Sequence, residues 1–536
     1  MTGARRGNTG GAQEPAPPSL VDAREALERH FGYASFRPGQ EEVISAILAG
    51  RDALAVMPTG AGKSVCYQIP AVLLGGLALV VSPLISLMDD QVRALKEAGI
   101  RGSYLNSSLT ARQQEIVMRR ALDGWYDIMY VAPERLRDMR FRSFAAAAGI
   151  PLVAVDEAHC VSQWGQDFRP AYRDIAGFVD SLPVRPVVAA LTATATREVR
   201  DDVVDLIHLH DPVVQVNGFD RPNLSLYSYE LTPKRREQFI VGYATHNAAQ
   251  PGIVYATTRK GVDGLVASLC AAGVTAVAYH AGMDNVDRTE AQRRFAADDA
   301  RVMVATNAFG MGIDKSDVRY VINAGLPLSL EEYYQEAGRA GRDGEPAECL
   351  LLWSKCDIRT CHYLIDNTEF APDVPASERR RLIGSREHLL GEMIGYAMSD
   401  SCLRRRILRY FGQNLDQVPE KCPACSVCTG AVPDAYLRRV DVPGGAGRAR
   451  RGRPTDEGEG LASDADEQLF QRLRTLRKTL ADRSSVPPYV VFSDATLRGM
   501  VRRRPQTLDD LLCVPGVGAV KLDRYGDAFL EEINRL

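Results

Sequence analysis

Short apolar runs recur along the first two thirds of the chain, separated by stretches whose apolar residues repeat at helical spacing. The first set is Ala53–Met57, Leu77–Ser82, Ile128–Ala132, Leu152–Asp156 and Val187–Thr192. The second is Gly252–Ala256, Thr275–Tyr279, Val302–Thr306, Tyr320–Asn323 and Cys349–Trp353, with helical segments such as Asp284–Ala297 between them. Strand-sized apolar runs alternating with amphipathic helices predict an α/β fold with parallel sheets covered on both faces. Two such sets predict two tandem lobes, residues 20–212 and 213–356. Residues 357–432 hold a cluster of cysteines and a basic amphipathic helix. The Gly/Arg/Pro-rich stretch 433–463 reads as a flexible linker. Residues 464–536 read as all-helical, and residues 1–19, rich in Gly, Pro and small polar side chains, as a disordered tail.

In parallel sheets, ligands sit beyond the carboxyl ends of the strands, and the polar motifs of the first lobe fall there. After Ala53–Met57 comes PTGAGKS, then a helical run from Val65. Thr59, Gly60 and Gly62 shape a loop whose amides and following helix N-terminus suit phosphates. Lys63 would neutralise the β/γ-phosphates of ATP, and the Ser64 hydroxyl would ligate Mg²⁺. Asp156-Glu157 closes the run LVAVD. Asp156 would hold Mg²⁺ and Glu157 would deprotonate an attacking water. Trp164 and Phe168 follow among polar residues, the composition of a loop that touches bases rather than of a buried stripe. The second lobe has no phosphate loop, so it would complete the nucleotide site by closing over it. Its candidates are Arg339 and Arg342 in QEAGRAGRDG, expected on one face of a helix and able to stabilise transferring phosphate.

Composition narrows the setting. A length of 536 residues implies about three or four domains. The formal charge of −3 gives no overall sign of a polyanion partner, but a neutral sum can hide basic grooves. No apolar run approaches the ~18–20 residues that span a bilayer, so the expectation is a soluble, intracellular protein with reduced thiols. Four of the eleven cysteines, Cys402, Cys422, Cys425 and Cys428, are spaced for a tetrahedral Zn²⁺ site, although the long first gap leaves unliganded thiols as an alternative. The other seven read as packing residues.

Together with LTATA (Leu191–Ala195), these motifs resemble superfamily 2 helicases, and within them the RecQ-type DNA helicases. FGYASFRPGQ resembles that family's adenine-recognition segment, which implies that Tyr33 stacks on the base while Arg37 and Gln40 reach its edge or the phosphates. VSPLISLMDDQV and YVAPERL match motifs along the DNA backbone. DEAHC followed by SQWGQDFRP matches the family's aromatic-rich loop, implying that His159, Trp164, Phe168 and Arg169 couple DNA contact to hydrolysis. MVATNAFGMGIDK resembles the motif in which Thr306 and the Gly310–Asp314 turn sense ATP and DNA. Gln335, Arg339 and Arg342 are implied to contact nucleotide, with Arg342 the better finger.

The family also carries the four-cysteine zinc arrangement and a C-terminal HRDC domain. The resemblance therefore implies two tandem RecA-like lobes, a helical zinc module and an all-α HRDC domain. In that domain Arg502–Arg504, Lys521 and the VPGVG turn are candidate phosphate contacts, with a plain helix–helix turn as the alternative. Three departures stand out: Ala256 replaces the usual Cys, Asn323 a common His, and no room is left after the zinc segment for the family's winged-helix domain. The implied activity is ATP-dependent, 3′–5′ DNA unwinding in recombination and repair. Single-strand-binding protein or other repair proteins are partners, and a bacterial member would be nucleoid-associated. An RNA-directed motor and an ATP-gated DNA-binding or annealing protein are the alternatives.

Overall fold

The structure, a computed structural model, describes residues 18–83, 85–165, 167–307, 309, 315–370, 374–431, 464–484 and 486–535. The tail before Pro18, the Gly310–Asp314 turn and the 433–463 linker fall outside the described residues.

Lobe 1 is built on β1 (Ala53–Val56), β2 (Ala78–Val81), β3 (Gly102–Leu105), β4 (Ile128–Val131), β5 (Leu152–Val155), β6 (Val187–Thr192) and β7 (Val213–Val216). Lobe 2 uses β8 (Leu224–Glu230), β9 (Gly252–Ala256), β10 (Ala276–Tyr279), β11 (Val302–Ala305), β12 (Tyr320–Ala324) and β13 (Ala347–Trp353). Both sheets are entirely parallel, in the orders β3-β4-β2-β5-β6-β1-β7 and β10-β11-β9-β12-β13-β8. Their central strands are buried on both faces, which is why they read as continuous apolar runs. Strands β3, β7 and β8 were not among the apolar runs: they lie at sheet edges, partly exposed, and mix polar with apolar residues. The carboxyl-end residues Met57, Ser82 and Asp156 of the predicted runs lie just past the strands, still tied by their amides to Thr192, Val131 and Val81 carbonyls. The chain thus turns away from the sheet where the polar motifs begin.

The zinc segment packs against lobe 2: the Leu226 amide donates to the Ala424 carbonyl at 2.8 Å, and β8 bridges to Cys425. The C-terminal helices, Asp464–Ser484, Asp494–Arg503 and Ala519–Ile533 among them, enclose a core of Leu473, Phe492, Leu497, Met500, Val517 and Phe529. Among the described residues no helix is long and apolar enough to cross a membrane.

The C-terminal domain docks on both lobes. On lobe 1, the Gly516 amide donates to the Gly32 carbonyl at 3.1 Å, and Arg524 pairs with Glu97 at 2.5 Å. Gly32 (φ 71°) is a helix C-cap where a Cβ would lie 2.3 Å from the Val517 carbonyl carbon, so only glycine permits this approach. The VPGVG turn, a candidate phosphate contact in the sequence, therefore faces lobe 1. Lys521, another candidate phosphate contact, is half-buried and donates to the Val490 carbonyl at 2.7 Å, and desolvation pulls its ammonium down to about 8 despite Glu97. Arg504 pairs with Asp466 at 2.7 Å, and Arg503 donates to the Cys513 carbonyl. On lobe 2, Arg474 reaches Asp298 (2.9 Å) and Asp317 (3.5 Å), whose carboxylates also hold the buried Lys315 at 2.7 and 3.0 Å. Burial alone would raise Asp317, but Lys315 first, then Arg477 and Arg474, hold it well below the usual carboxylate range. Removing one member of a buried charge network strands the others. Arg474→Ala is expected to destabilise the docked protein by about 1–3 kcal/mol in chemical denaturation, with a larger loss at neutral pH than in acid, where both aspartates are protonated.

Candidate nucleotide site and metal centre

Strands β5, β6 and β1 are neighbours, so the segments leaving their carboxyl ends meet. Gly60 and Gly62 have φ of 85° and 78°, the left-handed conformation that lets the loop curl after β1. Lys63 is folded into this loop, its ammonium 3.4 Å from the Met57 carbonyl. Burial pulls its pKa down, Glu157 and Asp156 oppose that, and Arg342 adds to the lowering. Ser64 sits just before the helix Val65–Leu74. Gln40 braces the loop: its amide nitrogen donates to the Ala61 and Gly62 carbonyls at 3.0 Å and its oxygen accepts from the Arg37 amide at 2.9 Å. Arg37 itself donates to the Gly60 carbonyl. Both residues expected at the adenine edge or the phosphates thus engage the phosphate loop, while Tyr33, four residues before Arg37, has an exposed ring.

Asp156 is turned toward Lys63 and Glu157. Burial foremost, then Glu157, raises its carboxyl to about 7 against the pull of Lys63. Glu157 holds a left-handed backbone (φ 47°, ψ 46°) that a non-glycine residue adopts only at a cost of roughly 1–3 kcal/mol. One of its carboxylate oxygens, Oε2, is buried without a hydrogen bond, 3.4 Å from His159 Nδ1. His159 Nδ1 lies 2.8 Å from Thr192 Oγ1, whose hydroxyl donates to the Thr194 carbonyl. Burial lowers the pKa of this imidazole, against the pull of Glu157 and Asp167. Gln335, from lobe 2, donates to Thr194 Oγ1 at 3.3 Å. Gln335, expected to contact nucleotide, meets the LTATA segment here.

The helix carrying Gln335 ends at Ala337, so Arg339 and Arg342 lie in the turn beyond it rather than on a helix. Glycines at 338 and 341 end the helix early, with Gly341 at φ 55°. The turn separates the two arginines. Arg339 is buried within lobe 2, where its charge acts on Tyr255 and Glu336. Arg342 crosses to lobe 1: its Cγ would lie 3.5 Å from a Cβ placed on Gly60. Of the pair, Arg342 is the one over the phosphate loop. Thr306 ends β11.

The aromatic-rich loop leaves β5 past the short helical turn Ala158–Val161. Trp164 is 37% exposed, Phe168 is half-buried with Arg173 stacked 5.0 Å from its ring centre, and Arg169 donates to the Pro83 carbonyl at 2.8 Å. The loop is clipped to the helix Ala376–Ala397: Gln163 donates to Glu378 at 2.8 Å, and Ser385 donates to the Gln163 carbonyl at 3.3 Å. Neither Glu378 nor Ser385 was singled out in the sequence, where nothing in their local pattern separates them from a solvated helix face.

The thiols of Cys402, Cys422, Cys425 and Cys428 converge, with all four sulfurs within 4.8 Å of one another. The Cys428 amide points at Cys425 Sγ, 3.4 Å away. Four thiolates at this spacing fit tetrahedral Zn²⁺, with Zn–S near ~2.3 Å, and leave no ligand position for water. Of the other cysteines, Cys66, Cys160, Cys349 and Cys361 are buried, whereas Cys270, Cys356 and Cys513 are exposed and are not packing residues.

Residues 37–202 match the DEAD/DEAH box helicase family, 235–344 the helicase conserved C-terminal domain, 355–429 the RecQ zinc-binding family and 466–533 the HRDC domain. The chain is 37% identical to the ATP-dependent DNA helicase RecQ of Bacillus subtilis (strain 168), covering 96% of this chain and 98% of that protein. It is 36% identical to the ATP-dependent DNA helicase RecQ of Pasteurella multocida (strain Pm70), with 97% and 94% covered. The chain belongs to the RecQ helicase family. Among solved structures it is similar to the Mycobacterium smegmatis helicase Lhr bound to ssDNA and AMP-PNP (18% identity, TM-score 0.52, 91% of this chain and 74% of that one). It is also similar to Mss116p bound to ssRNA and AMP-PNP (18%, TM-score 0.55, 73% and 87%), and at this identity both likenesses concern the fold alone. The alignment with the Bacillus RecQ runs over 603 positions against the 536 residues here, so parts of that relative have no counterpart in this chain. The zinc-binding match ends at 429 and the HRDC match begins at 466, an interval too short for the core of a winged helix.

Two expectations test this RecQ site. Because burial raises Asp156 from 3.8 to about 7, its ionised form penalises the folded state. That penalty is absent below the unfolded value and complete above the folded one. Asp156→Asn should therefore raise the Tm of nucleotide-free protein at about pH 8, leave it nearly unchanged at about pH 4, and abolish ATP hydrolysis. Cys425→Ser replaces a thiolate by a poor zinc ligand, so metal analysis should find well under one zinc per chain, with a lower Tm.

Proposed function

We propose that this RecQ protein steps 3′ to 5′ along one DNA strand, driven by closure of the two lobes over ATP, with Glu157 as the base and Arg342 as the finger. Its activity is that of an ATP-dependent DNA helicase, with ATP, Mg²⁺ and Zn²⁺ as cofactors, DNA as partner, and recombination and repair as setting. In this reading residues 20–212 and 213–356 are the motor lobes, 357–432 the structural zinc module and 464–536 the HRDC domain. Single-strand-binding protein or other repair proteins as partners, and association with a bacterial nucleoid, belong to the same proposal.

The observation that carries the mechanism is the convergence of Lys63, Asp156, Glu157 and Arg342 at the lobe interface. Lys63 and the loop amides bind and orient the phosphates. Mg²⁺, which Ser64 and Asp156 would hold, neutralises phosphate charge when bound. Glu157, its unpaired Oε2 aimed into the site and oriented beside His159, takes the proton of the attacking water. Arg342 supplies positive charge where negative charge develops on the transferring phosphoryl group. Tyr33, exposed at the mouth, stacks on the adenine. DNA reaches the base through the loop: Trp164 and Phe168 stack on nucleobases, Arg169 anchors the loop at Pro83, and His159 links it to Glu157 and, through Thr192 and Thr194, to Gln335 of lobe 2.

A strand-displacement assay with DNA-stimulated ATPase tests the reading. Wild type is expected to hydrolyse ATP on single-stranded DNA and to displace a strand, and Lys63→Ala to do neither. Hydrolysis without displacement would make the protein an ATP-gated DNA binder, a reading favoured by the missing winged helix. Trp164→Ala should cut DNA-stimulated kcat roughly tenfold or more while ATP binding changes little, since base stacking is worth about 1–3 kcal/mol. Equal loss of both would mark the aromatics as structural.

A further inference from the structure

Between β7, which ends at Val216, and β8, which begins at Leu224, the chain crosses from lobe 1 to lobe 2. Arg221 lies in this crossing. Its guanidinium donates to backbone carbonyls of both lobes: Nη1 to Thr59 of the phosphate loop at 2.9 Å and to Gly338 at 3.3 Å, Nη2 to Ala340 at 3.0 Å and Gly341 at 2.9 Å. The last three belong to the turn that carries Arg339 and Arg342. Having left the helix at Ala337, that turn presents carbonyls with no next helical turn to accept from. A guanidinium satisfies several of them at once and suits the negative end of the helix. Asn223 adds two bonds, to the Gly341 and Glu345 carbonyls at 2.9 Å. From behind, Arg404 holds the crossing, pairing with Asp220 and donating to the Arg221 carbonyl at 2.8 Å. Arg404 stands two residues after the zinc ligand Cys402.

We propose that Arg221 is a positioning residue for ATP hydrolysis: it ties the finger turn to the phosphate loop, so that the lobe crossing sets where Arg342 meets the nucleotide. The proposal rests on Arg342 acting as the finger. Arg221 touches neither phosphate nor water in this role; it acts through the turn. All four of its acceptors are main-chain carbonyls, so its effect depends on the planar, multi-donor fork rather than on charge alone. Lysine, a point charge with three donors on a flexible stem, keeps the charge and loses the fork.

The test compares wild type, Arg342→Ala, Arg221→Lys and the double variant in steady-state ATPase at saturating single-stranded DNA, with fluorescent-ADP affinity and Tm measured on each. Displacing a reacting group by about 1 Å can cost on the order of 100-fold. Arg221→Lys is accordingly expected to lower kcat about 10- to 100-fold, with ADP affinity within about threefold of wild type. The double variant should be no slower than Arg342→Ala, because a finger already removed cannot be mispositioned. Wild-type kcat in Arg221→Lys, multiplying losses in the double variant, or a matching loss of ADP affinity and Tm would each overturn the proposal. If Arg342→Ala itself hydrolyses at the wild-type rate, the finger assignment fails and this proposal with it. If Arg342→Ala is slow and Arg221→Lys is not, only the Arg221 role fails. Should Arg221→Lys not fold, Asn223→Ala, which frees two carbonyls of the same turn, is read in the same way: a lower kcat at unchanged ADP affinity supports the role, and an unchanged kcat overturns it.

Discussion

The parallel ladder joining β5, β6 and β1 is the constraint on which the rest of this structure depends. Its register sets Val155 beside Ala190 and Val56 beside Thr192, so three strands end almost level. The phosphate loop, the Asp156-Glu157 pair and the LTATA segment leave those ends side by side. None of these segments makes a site alone. Parallel pairing requires each strand to return through a crossover, and that long route is what lets residues a hundred positions apart in sequence share one edge. The buried apolar faces on both sides of the sheet hold the edge rigid enough to aim them.

At that edge the protein gathers charges that water would otherwise screen. Burial pulls Lys63 and Asp156 away from their usual ionisation states: the neighbouring carboxylates oppose this at Lys63, and Lys63 opposes it at Asp156, where Glu157 adds to it. Such a cluster is poorly satisfied without ligand and well matched to one that brings phosphate oxygens and a cation. Arg342 enters from the other lobe, over Gly60, where a Cβ would meet its Cγ at an ordinary contact distance of 3.5 Å. The strained backbone of Glu157 and its unpaired oxygen mark the same edge. The contact between the lobes at this edge is therefore electrostatic as well as steric.

Lobe placement is braced from two sides. The zinc segment grips β8 and, through Arg404, the crossing between lobes. The HRDC domain reaches Gly32 and Glu97 on one lobe and the Asp298–Lys315–Asp317 cluster on the other. Lys315 directly follows residues 310–314 in the chain, and Glu345, paired with Arg498 at 3.8 Å, follows the turn that carries Arg342. The domain's footprint in lobe 2 thus lies beside the turn that carries Arg342. Of the HRDC features that suggested phosphate contact, the VPGVG turn meets lobe 1, while Lys521, Arg503 and Arg504 bond within the domain itself.

The sequence by itself determined the two α/β lobes, the phosphate loop, the Asp156-Glu157 pair, the aromatic-rich loop, the cysteine set and the helical C-terminal domain. Each is written in local chemistry: apolar runs of strand length, glycines where the backbone must turn left-handed, thiols at ligand spacing. Edge strands β3, β7 and β8 escaped because partial exposure dilutes the apolar signal. The helix expected under Arg339 and Arg342 failed because glycines at 338 and 341 end it, and only the resulting turn shows which arginine crosses to lobe 1. Tertiary structure alone decided that Gln40 and Arg37 brace the phosphate loop, that Gln335 meets Thr194, that Lys521 donates to the Val490 carbonyl, and that Arg221 and Glu378 matter at all. These are contacts between residues far apart in the chain, made to backbone carbonyls or to single side chains. A carbonyl exists at every position, so nothing in the residue letters announces which ones a distant guanidinium will find.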